Sequence, residues 1–471
     1  MFQRLTPPLV DELRSIAGPE HVLIDHEAME KYSHDETEDL VFWPEAVVRP
    51  RTTEEVSRIL SLASRERIPV TPRGAGTSLS GGALAVHGGI VLSLERMNRI
   101  LEIDRESLFA VVEPGVITER LQDEVEKQGL FYAPDPASRG SSLLGGNVAH
   151  GSGGPRAVKY GVTKDWVCGL EAVLATGEVI HTGGKLLKNV AGYNLTQLLV
   201  GSEGTLAVVT RITVRLLPLA RHRRTLLAPF DDVKDAARAV SRILCAGIVP
   251  CAIEYMESAA MKAAEQRKGV PFPNSDAPAQ LLIEVDGPSP EELDREVEAI
   301  GDVCEAEGAG ELLLAETPEK QRQIWDLRRS MGEATKALST YKEEDTVVPR
   351  ARLPELVEAI REVMAKHGLT AISYGHAGDG NLHVNILKMD LSEERWKTDL
   401  PVAITELFRR VVALGGTITG EHGVGFVQRD YLPIAVGPVE IGLMRKLKQA
   451  FDPAGILNPG KVFPDVPESR P

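Results

Sequence analysis

Two histidines seven residues apart, His376 and His383, and the adjacent pair Glu421-His422 are the residues whose types and spacing bear most directly on chemistry. In Gly380-Asn381-Leu382-His383-Val384-Asn385-Ile386 the side chains alternate, so Leu382, Val384 and Ile386 take one face of a strand and His383 and Asn385 the other. The loop Ala377-Gly378-Asp379-Gly380 can fold His376 back towards His383, while Glu421-His422 sits in a second glycine-rich turn, Gly420 to Gly425. Two imidazoles and a carboxylate form an N/N/O donor set suited to a borderline divalent ion such as zinc or manganese, with positions open for substrate. Taken alone, two histidines at this spacing are more often hydrogen-bonded structural residues.

Glycine supplies the second signal. Thirteen of the 43 glycines fall within residues 74–89 and 140–161, a density that means close backbone approach or positive φ. Thr71-Pro72-Arg73-Gly74-Ala75-Gly76-Thr77-Ser78-Leu79-Ser80-Gly81-Gly82 follows a strand and offers successive N–H groups and small hydroxyls, as a pyrophosphate cradle requires. No Gly-Lys-Ser/Thr closes it, and Leu79 stands where the third glycine of Gly-x-Gly-x-x-Gly would be, so neither a Walker A nor a Rossmann loop is present. A plain glycine-rich turn between strands is the alternative for this loop by itself. Leu144-Gly145-Gly146-Asn147-Val148-Ala149-His150-Gly151-Ser152-Gly153-Gly154, followed by Tyr160-Gly161-Val162-Thr163, reads as a second flat wall, and two such walls suit a large planar cofactor. A third segment runs from Lys188 to Thr196 and leads into Gly201-Ser202-Glu203-Gly204-Thr205-Leu206.

These segments need elements to hold them. A capping box at Thr52-Thr53-Glu54-Glu55 opens a helix with Val56, Ile59, Leu60 and Ala63 on one face, delivering a strand at 68–71. Strands follow at 90–94, 99–103 and 108–113, with a helix at 117–128, a hairpin over 171–181 turning on Thr176-Gly177, and a long β-branched run, 205–217. The boundary falls at about residue 218. Beyond it helices near 232–246, 289–307, 353–367 and 436–450 alternate with strands near 252–256, 280–286 and 380–388, predicting helices on an antiparallel or mixed sheet. At 471 residues the chain holds two or three domains, and 43% hydrophobic with 26% charged residues is a globular balance. The 53 basic residues against 68 acidic leave a net charge of −15, which excludes nucleic acid as an expected partner. No apolar run is long enough to span a membrane, and MFQRLTPPLVDEL does not read as a signal peptide, so a cytoplasmic protein is expected. Cys168, Cys245, Cys251 and Cys304 form no C-x-x-C arrangement and are expected to be buried thiols.

In order, the segments PRGAGTSLSGGA, PDPAS, GGNVAHGSGG, YGVT, NVAGYNLTQLLVGSEGTL, GHAGDGNLHVNI, GEHGVG and FDPAGILNPGK make the chain resemble the flavoprotein family of vanillyl-alcohol oxidase and p-cresol methylhydroxylase, in the branch of glycolate oxidase FAD-linked subunits and D-lactate dehydrogenases. The resemblance covers nearly the whole chain. It implies an α+β, two-domain flavoprotein: a p-cresol methylhydroxylase-type FAD-binding domain over residues 1–218, with its core at about 39–218, and a C-terminal α+β substrate and metal domain, 219–471, built on an antiparallel sheet, whose segment at about 451–465 returns to the flavin. The implied FAD contacts are Arg73, Gly74, Ala75, Gly76, Thr77, Ser78, Pro134, Ser138, Gly145, Gly146, Asn147, Gly153, Gly154, Thr163, Glu203, Gly204 and Asn458, with Lys461 meeting the same region. Several relatives tether the flavin through a histidine where this chain has Thr77, so FAD is expected to be non-covalent. His150 and Gly151 depart from a threonine and an asparagine common in relatives.

The resemblance further implies His376, His383 and Glu421 as metal ligands, His422 as the base, Arg328 as the partner of a substrate carboxylate and Asn385 as an orienting group. From residues alone Arg328 reads as an exposed helix arginine, and Arg329 competes for the same role. The expected reaction is oxidation of a 2-hydroxy acid: a metal lowers the hydroxyl pKa, His422 takes the proton and the flavin takes the hydride. Relatives acting on D-2-hydroxyglutarate carry a lysine where Glu343 stands, beside Lys342, so a small monocarboxylate, D-lactate or glycolate, is expected. Rival readings are flavin-assisted group transfer of the alkylglycerone phosphate synthase type, D-2-hydroxyglutarate as substrate, a metallohydrolase on the same donors, and a non-catalytic subunit. Electrons must leave through a separate acceptor, whether an iron–sulfur subunit, an electron-transfer flavoprotein or a quinone, with a peripheral position at the inner face of the membrane and a homodimer both left open.

Overall fold

The computed structural model describes residues 2–465 and divides the chain into two compact units. One holds the residues up to Ser152, Val162–Leu219 and the residues from Glu421 on; the other holds Gly153–Gly161 and Ala220–Gly420. Met1 and residues 466–471, which end the C-terminal domain expected from the sequence, lie outside the described residues.

In the first unit β1 (Val22–Leu23), β2 (Ala46–Val48), β3 (Val70–Arg73) and β4 (Ile90–Ser93) form a sheet in the order β1-β2-β4-β3, parallel except for β1. The helix Thr53–Glu66 links β2 to β3. Thr52 Oγ1 accepts from the Glu55 N–H, and the Glu55 carboxylate accepts from the Arg51 N–H one residue before the box position, so the helix start is satisfied from both directions. Its face of Val56, Ile59, Leu60 and Ala63 is buried against Val70 and Ile90. The C-terminal segment completes this sheet: the Val70 N–H donates to Ile456 O at 2.8 Å and the Asn458 N–H to Val70 O at 2.7 Å. Ile456 and Leu457, fully buried in the same core, make that docking favourable. A second, antiparallel sheet contains β5 (Ile100–Asp104), β6 (Phe109–Val112), β8 (Val167–Leu174), β9 (Val179–Gly183) and β10 (Ala207–Arg215), in the order β5-β6-β10-β8-β9, while β7 (Leu130–Phe131) pairs with β11 (Leu217–Pro218).

The second unit is a wholly antiparallel seven-stranded sheet of β12 (His222–Phe230), β13 (Ala252–Glu257), β14 (Ala279–Gly287), β15 (Leu313–Ala315), β16 (Tyr341–Val347), β17 (Thr370–Gly375) and β18 (Asn381–Leu387). Their order is β15-β12-β14-β13-β17-β18-β16, with helices between them.

Three features depart from expectation. Leu144–His150, within the segment read as a flat wall, is a helix, because Leu144 and Val148 are buried one turn apart while Gly145 lets the helix press on Pro114, whose Cβ would lie 2.6 Å from an added Cβ. The charged run Tyr341–Val347 is a strand, β16, paired along the whole of β18, every residue of which is buried. Cys251 and Cys304 are buried, but Cys168 is half-buried and Cys245 is exposed, at the end of the helix Val233–Cys245 and off its buried stripe.

Candidate active site

In the first unit the glycine loop leaves β3. None of the N–H groups of Gly74–Ser78 donates to a protein acceptor among the described residues, so a row of amides is available to an anionic ligand. The Arg73 guanidinium lies under that row and donates to Lys31 O at 2.9 Å and Ala83 O at 3.5 Å. It fills the space beside Gly76, whose φ is +84° and where an added Cβ would fall 2.1 Å from Arg73 Nη2. Gly74 lies against the start of the Leu144–His150 helix, an added Cβ there being 3.7 Å from the Gly146 N. Asn147 donates to Thr118 Oγ1 at 2.6 Å, Thr163 Oγ1 donates to Ser152 O at 2.7 Å, and Pro134 O accepts from Gln122. Ser138 caps a turn through its carbonyl, and Gly204, at φ +66°, packs on Pro72.

The same unit carries His422. Ser80 Oγ donates to His422 O at 2.9 Å, and Ser80 O accepts from the Phe426 N–H at 2.7 Å. The Glu203 carboxylate accepts from the N–H groups of Val424 and Gly425, at 2.8 and 2.7 Å. Gly423 is at φ +80°, and an added Cβ would meet His150 Nδ1 at 2.9 Å. Asn458 Nδ2 donates to both Gly82 O and Glu203 O, and Lys461 Nζ donates to Leu84 O at 2.6 Å. The segments around Ser80 and Glu203 are thereby tied to the turn of residues 422–425, and Asn458 and Lys461 tie the C-terminal segment to those two. Sequence reasoning gave Glu203 only as an FAD contact implied by the resemblance and had no signal for its bracing of a turn more than 200 positions away.

Burial pulls the Lys461 ammonium down to about 7 from 10.5, despite the opposing charges of Asp35 and Glu203. The unfolded chain therefore binds more protons than the folded one between those values, and Lys461 opposes folding increasingly as pH falls through that window, then by a constant amount below it. Lys461→Met is expected to raise the melting temperature more below pH ~7 than near pH ~10; an equal change at both would show an ordinary lysine.

In the second unit, glycines make the turn that joins the two histidines: an added Cβ would lie 2.6 Å from Asn381 O at Gly375, and 2.1 Å from Val348 O at Gly380, where φ is +87°. His376 and His383 come together with ring centroids 5.3 Å apart at 89°. Both are buried. His376 Nδ1 lies 2.8 and 3.0 Å from the two oxygens of Glu254, a fully buried residue of β13 that sequence reasoning missed. The other Glu254 partner is Arg328, whose Nη2 is 2.5 Å from Oε2. Arg328 is 5% exposed, so the exposed-arginine reading fails. Burial alone would raise the Glu254 carboxyl, but Arg328 and then His376 hold it below its ordinary value. His383 Nδ1 faces Glu343 at 3.6 Å and Asp345 at 3.8 Å, both supplied by β16. Asn385 is fully buried, and neither of its amide side-chain atoms makes a hydrogen bond; the Tyr374 hydroxyl lies beside it without bonding geometry. Burial, and then Glu343, push the Tyr374 hydroxyl up, so it stays protonated.

Asp345 is the anchor of a further turn. It accepts from Asn381 Nδ2, Thr419 Oγ1 and the Gly420 N–H, at 2.6, 2.9 and 2.7 Å. Glu421 follows Gly420 directly. Gly153 and Gly154 open the short segment of this unit in which Lys159 Nζ and Tyr160 Oη both donate to Asp286, at 2.6 and 2.7 Å.

Amide-rich glycine loops on one unit and buried imidazole and carboxylate groups on the other define a cofactor-dependent enzyme class, and comparison specifies it. Residues 44–183 match the description "FAD binding domain", and residues 219–462 match "FAD linked oxidases, C-terminal domain". The chain is 44% identical to the glycolate oxidase subunit GlcD of Bacillus subtilis (strain 168) over 463 residues, 98% of this chain and 97% of the relative. It is 36% identical to a D-lactate dehydrogenase of Anaerostipes hadrus, covering 98% of each, and 33% identical to a D-2-hydroxyglutarate dehydrogenase of Stutzerimonas stutzeri (strain A1501), covering 97% of this chain and 99% of the relative. Among solved structures, p-cresol methylhydroxylase with substrate bound shares the fold, with a TM-score of 0.77 at 19% identity over 97% of this chain and 96% of that one. The chain belongs to the family of FAD-linked oxidases and is an FAD-linked oxidoreductase. The unpaired amides of Gly74–Ser78 fit the pyrophosphate of FAD. Among the described residues no helix is long and apolar enough to cross a membrane.

Proposed function

We propose that this chain oxidises a small D-2-hydroxy monocarboxylic acid, D-lactate or glycolate, to its 2-oxo acid. In this reading non-covalent FAD is bound by a domain ending at about residue 218 together with the returning C-terminal segment, Thr77 offering no imidazole for a tether. His376, His383 and Glu421 hold zinc or manganese, His422 takes the substrate hydroxyl proton, and Arg328 and Asn385 orient the acid. FAD supplies a hydride acceptor, and a divalent ion lowers the pKa of the substrate hydroxyl.

The observation that carries this is a buried pair of imidazoles, His376 and His383, with Asn385 on the same face of β18 as His383 and its amide without a hydrogen bond among the described residues. A buried orphan amide on the face that bears His383 is a group a polar ligand satisfies. Glu254 takes the Nδ1 side of His376, leaving Nε2 as the donor. Arg328 gives one end of its guanidinium to Glu254 and can present the rest to a carboxylate. Glu343, buried 3.6 Å from His383, would repel a second substrate carboxylate and so disfavours D-2-hydroxyglutarate. The relatives named for glycolate, D-lactate and D-2-hydroxyglutarate support the substrate class. Electrons then pass to a separate acceptor, an iron–sulfur subunit, an electron-transfer flavoprotein or a quinone.

The test is an anaerobic visible spectrum before and after D-lactate, glycolate, L-lactate or D-2-hydroxyglutarate is added. Bleaching of the yellow bands by D-lactate or glycolate, with flavin released on acid precipitation, is the expected result. Bleaching by D-2-hydroxyglutarate alone would overturn the substrate, and flavin remaining with the precipitate would overturn non-covalent binding.

A further inference from the structure

We infer that Glu254 is a positioning residue that couples metal binding to acid binding, one carboxylate setting the tautomer of His376 and the placement of Arg328; this rests on the function proposed above. The sheet itself dictates the arrangement. β13 and β17 pair with Tyr255 opposite Gly375 and Met256 opposite Tyr374, which brings Glu254 level with His376 just past the end of β17. Arg328 reaches the same carboxylate from the helix Pro318–Lys336, with its guanidinium 5.1 Å from the centre of the Tyr374 ring.

A carboxylate accepts and never donates when ionised, so its contact with His376 Nδ1 requires the proton to sit on Nδ1. The lone pair is then on Nε2, the only tautomer in which a neutral His376 can ligate from that nitrogen. An uncompensated carboxylate in a site with no exposure is strongly destabilising, and here His376 and Arg328 compensate it together. Glutamine at this position has the same shape but offers an NH2 group to one of the two partners. Facing His376, that group would draw the lone pair to Nδ1 and spoil Nε2 as a ligand; facing Arg328, it would set donor against donor and release the guanidinium. Aspartate keeps the charge but is one methylene shorter, so it can serve the two partners only in part.

The experiment uses the FAD-loaded full chain, stripped of metal with a chelator, and reads zinc or manganese uptake by equilibrium dialysis and the KM for the substrate acid. Glu254→Gln is expected to weaken metal binding ~10–100-fold and to raise KM, Glu254→Asp to recover part of both, and Arg328→Met to raise KM and, by leaving Glu254 with one partner fewer, to weaken metal binding by less than Glu254→Gln does. Metal binding by Glu254→Gln within about twofold of native would overturn the coupling. Native chain that takes up neither ion would instead remove the metal from the function above, and this inference with it. Should Glu254→Gln lose its flavin or melt early, the imidazole nitrogen shifts of His376 in the native chain decide the matter, with Nδ1–H expected and Nε2–H contrary.

Discussion

Replacing His422 with asparagine is expected to slow flavin reduction by the substrate acid by ~10²–10⁴-fold while bound flavin and melting temperature stay close to native. The separation of the two effects follows from how the turn is held. Ser80 grips the His422 carbonyl and Glu203 grips the amides of Val424 and Gly425, so the contacts that position the turn are to main chain and survive loss of the imidazole. A base acting on the hydroxyl contributes only in the transition state, so the loss falls on the rate of reduction measured by anaerobic stopped flow, with little change in substrate affinity. Reduction at the native rate would move the base to another group. Loss of flavin together with rate would mean that the side chain holds the turn.

If His383 holds the divalent ion proposed above, His383→Ala is expected to lose that ion and to lower turnover by about 10³-fold or more, corresponding to the several kcal/mol that a Lewis acid supplies. His383 is a cleaner site for this test than His376. Leu382, Val384 and Ile386 remain to pack β18, whereas removing His376 would leave Glu254 buried with one partner fewer. Metal analysis of native and variant protein, alongside chelation of the native enzyme and restoration with zinc or manganese, checks the result. Full turnover in metal-free protein would show that the two histidines serve as plain hydrogen-bonding groups.

The histidine cluster was legible because two local patterns coincide: strand alternation puts His383 and Asn385 on one face, and glycines at 375 and 380 force a turn short enough to bring back His376. Glu254 was not legible, since one acid in Ala252–Glu257 looks the same from sequence whether it meets solvent or the ring of a residue 122 positions away. β16 was hidden for a related reason. Its run Tyr-Lys-Glu-Glu-Asp reads as solvated surface, yet three of those side chains, Glu343, Glu344 and Asp345, are buried. The Leu144–His150 helix was masked by Gly145 and Gly146, which serve helix packing and open space respectively. The docking of Ile456–Asn458 beside β3 depends on a pairing too remote for any local pattern to announce.

That pairing has a consequence for synthesis. Asn458 and Lys461 reach Gly82 and Leu84 across 376 and 377 positions, so the first glycine loop is completed by residues made long after it. Closing so long a loop is slow, and contacts of such sequence separation form late in folding. A nascent chain can build the Thr53–Glu66 helix early, but it acquires the finished glycine loop only after Asn458 and Lys461 have been made. A chain cut before Asn458 is expected to lose that loop's brace although every glycine in it had been made, which would make cofactor loading a checkpoint on synthesis through Lys461.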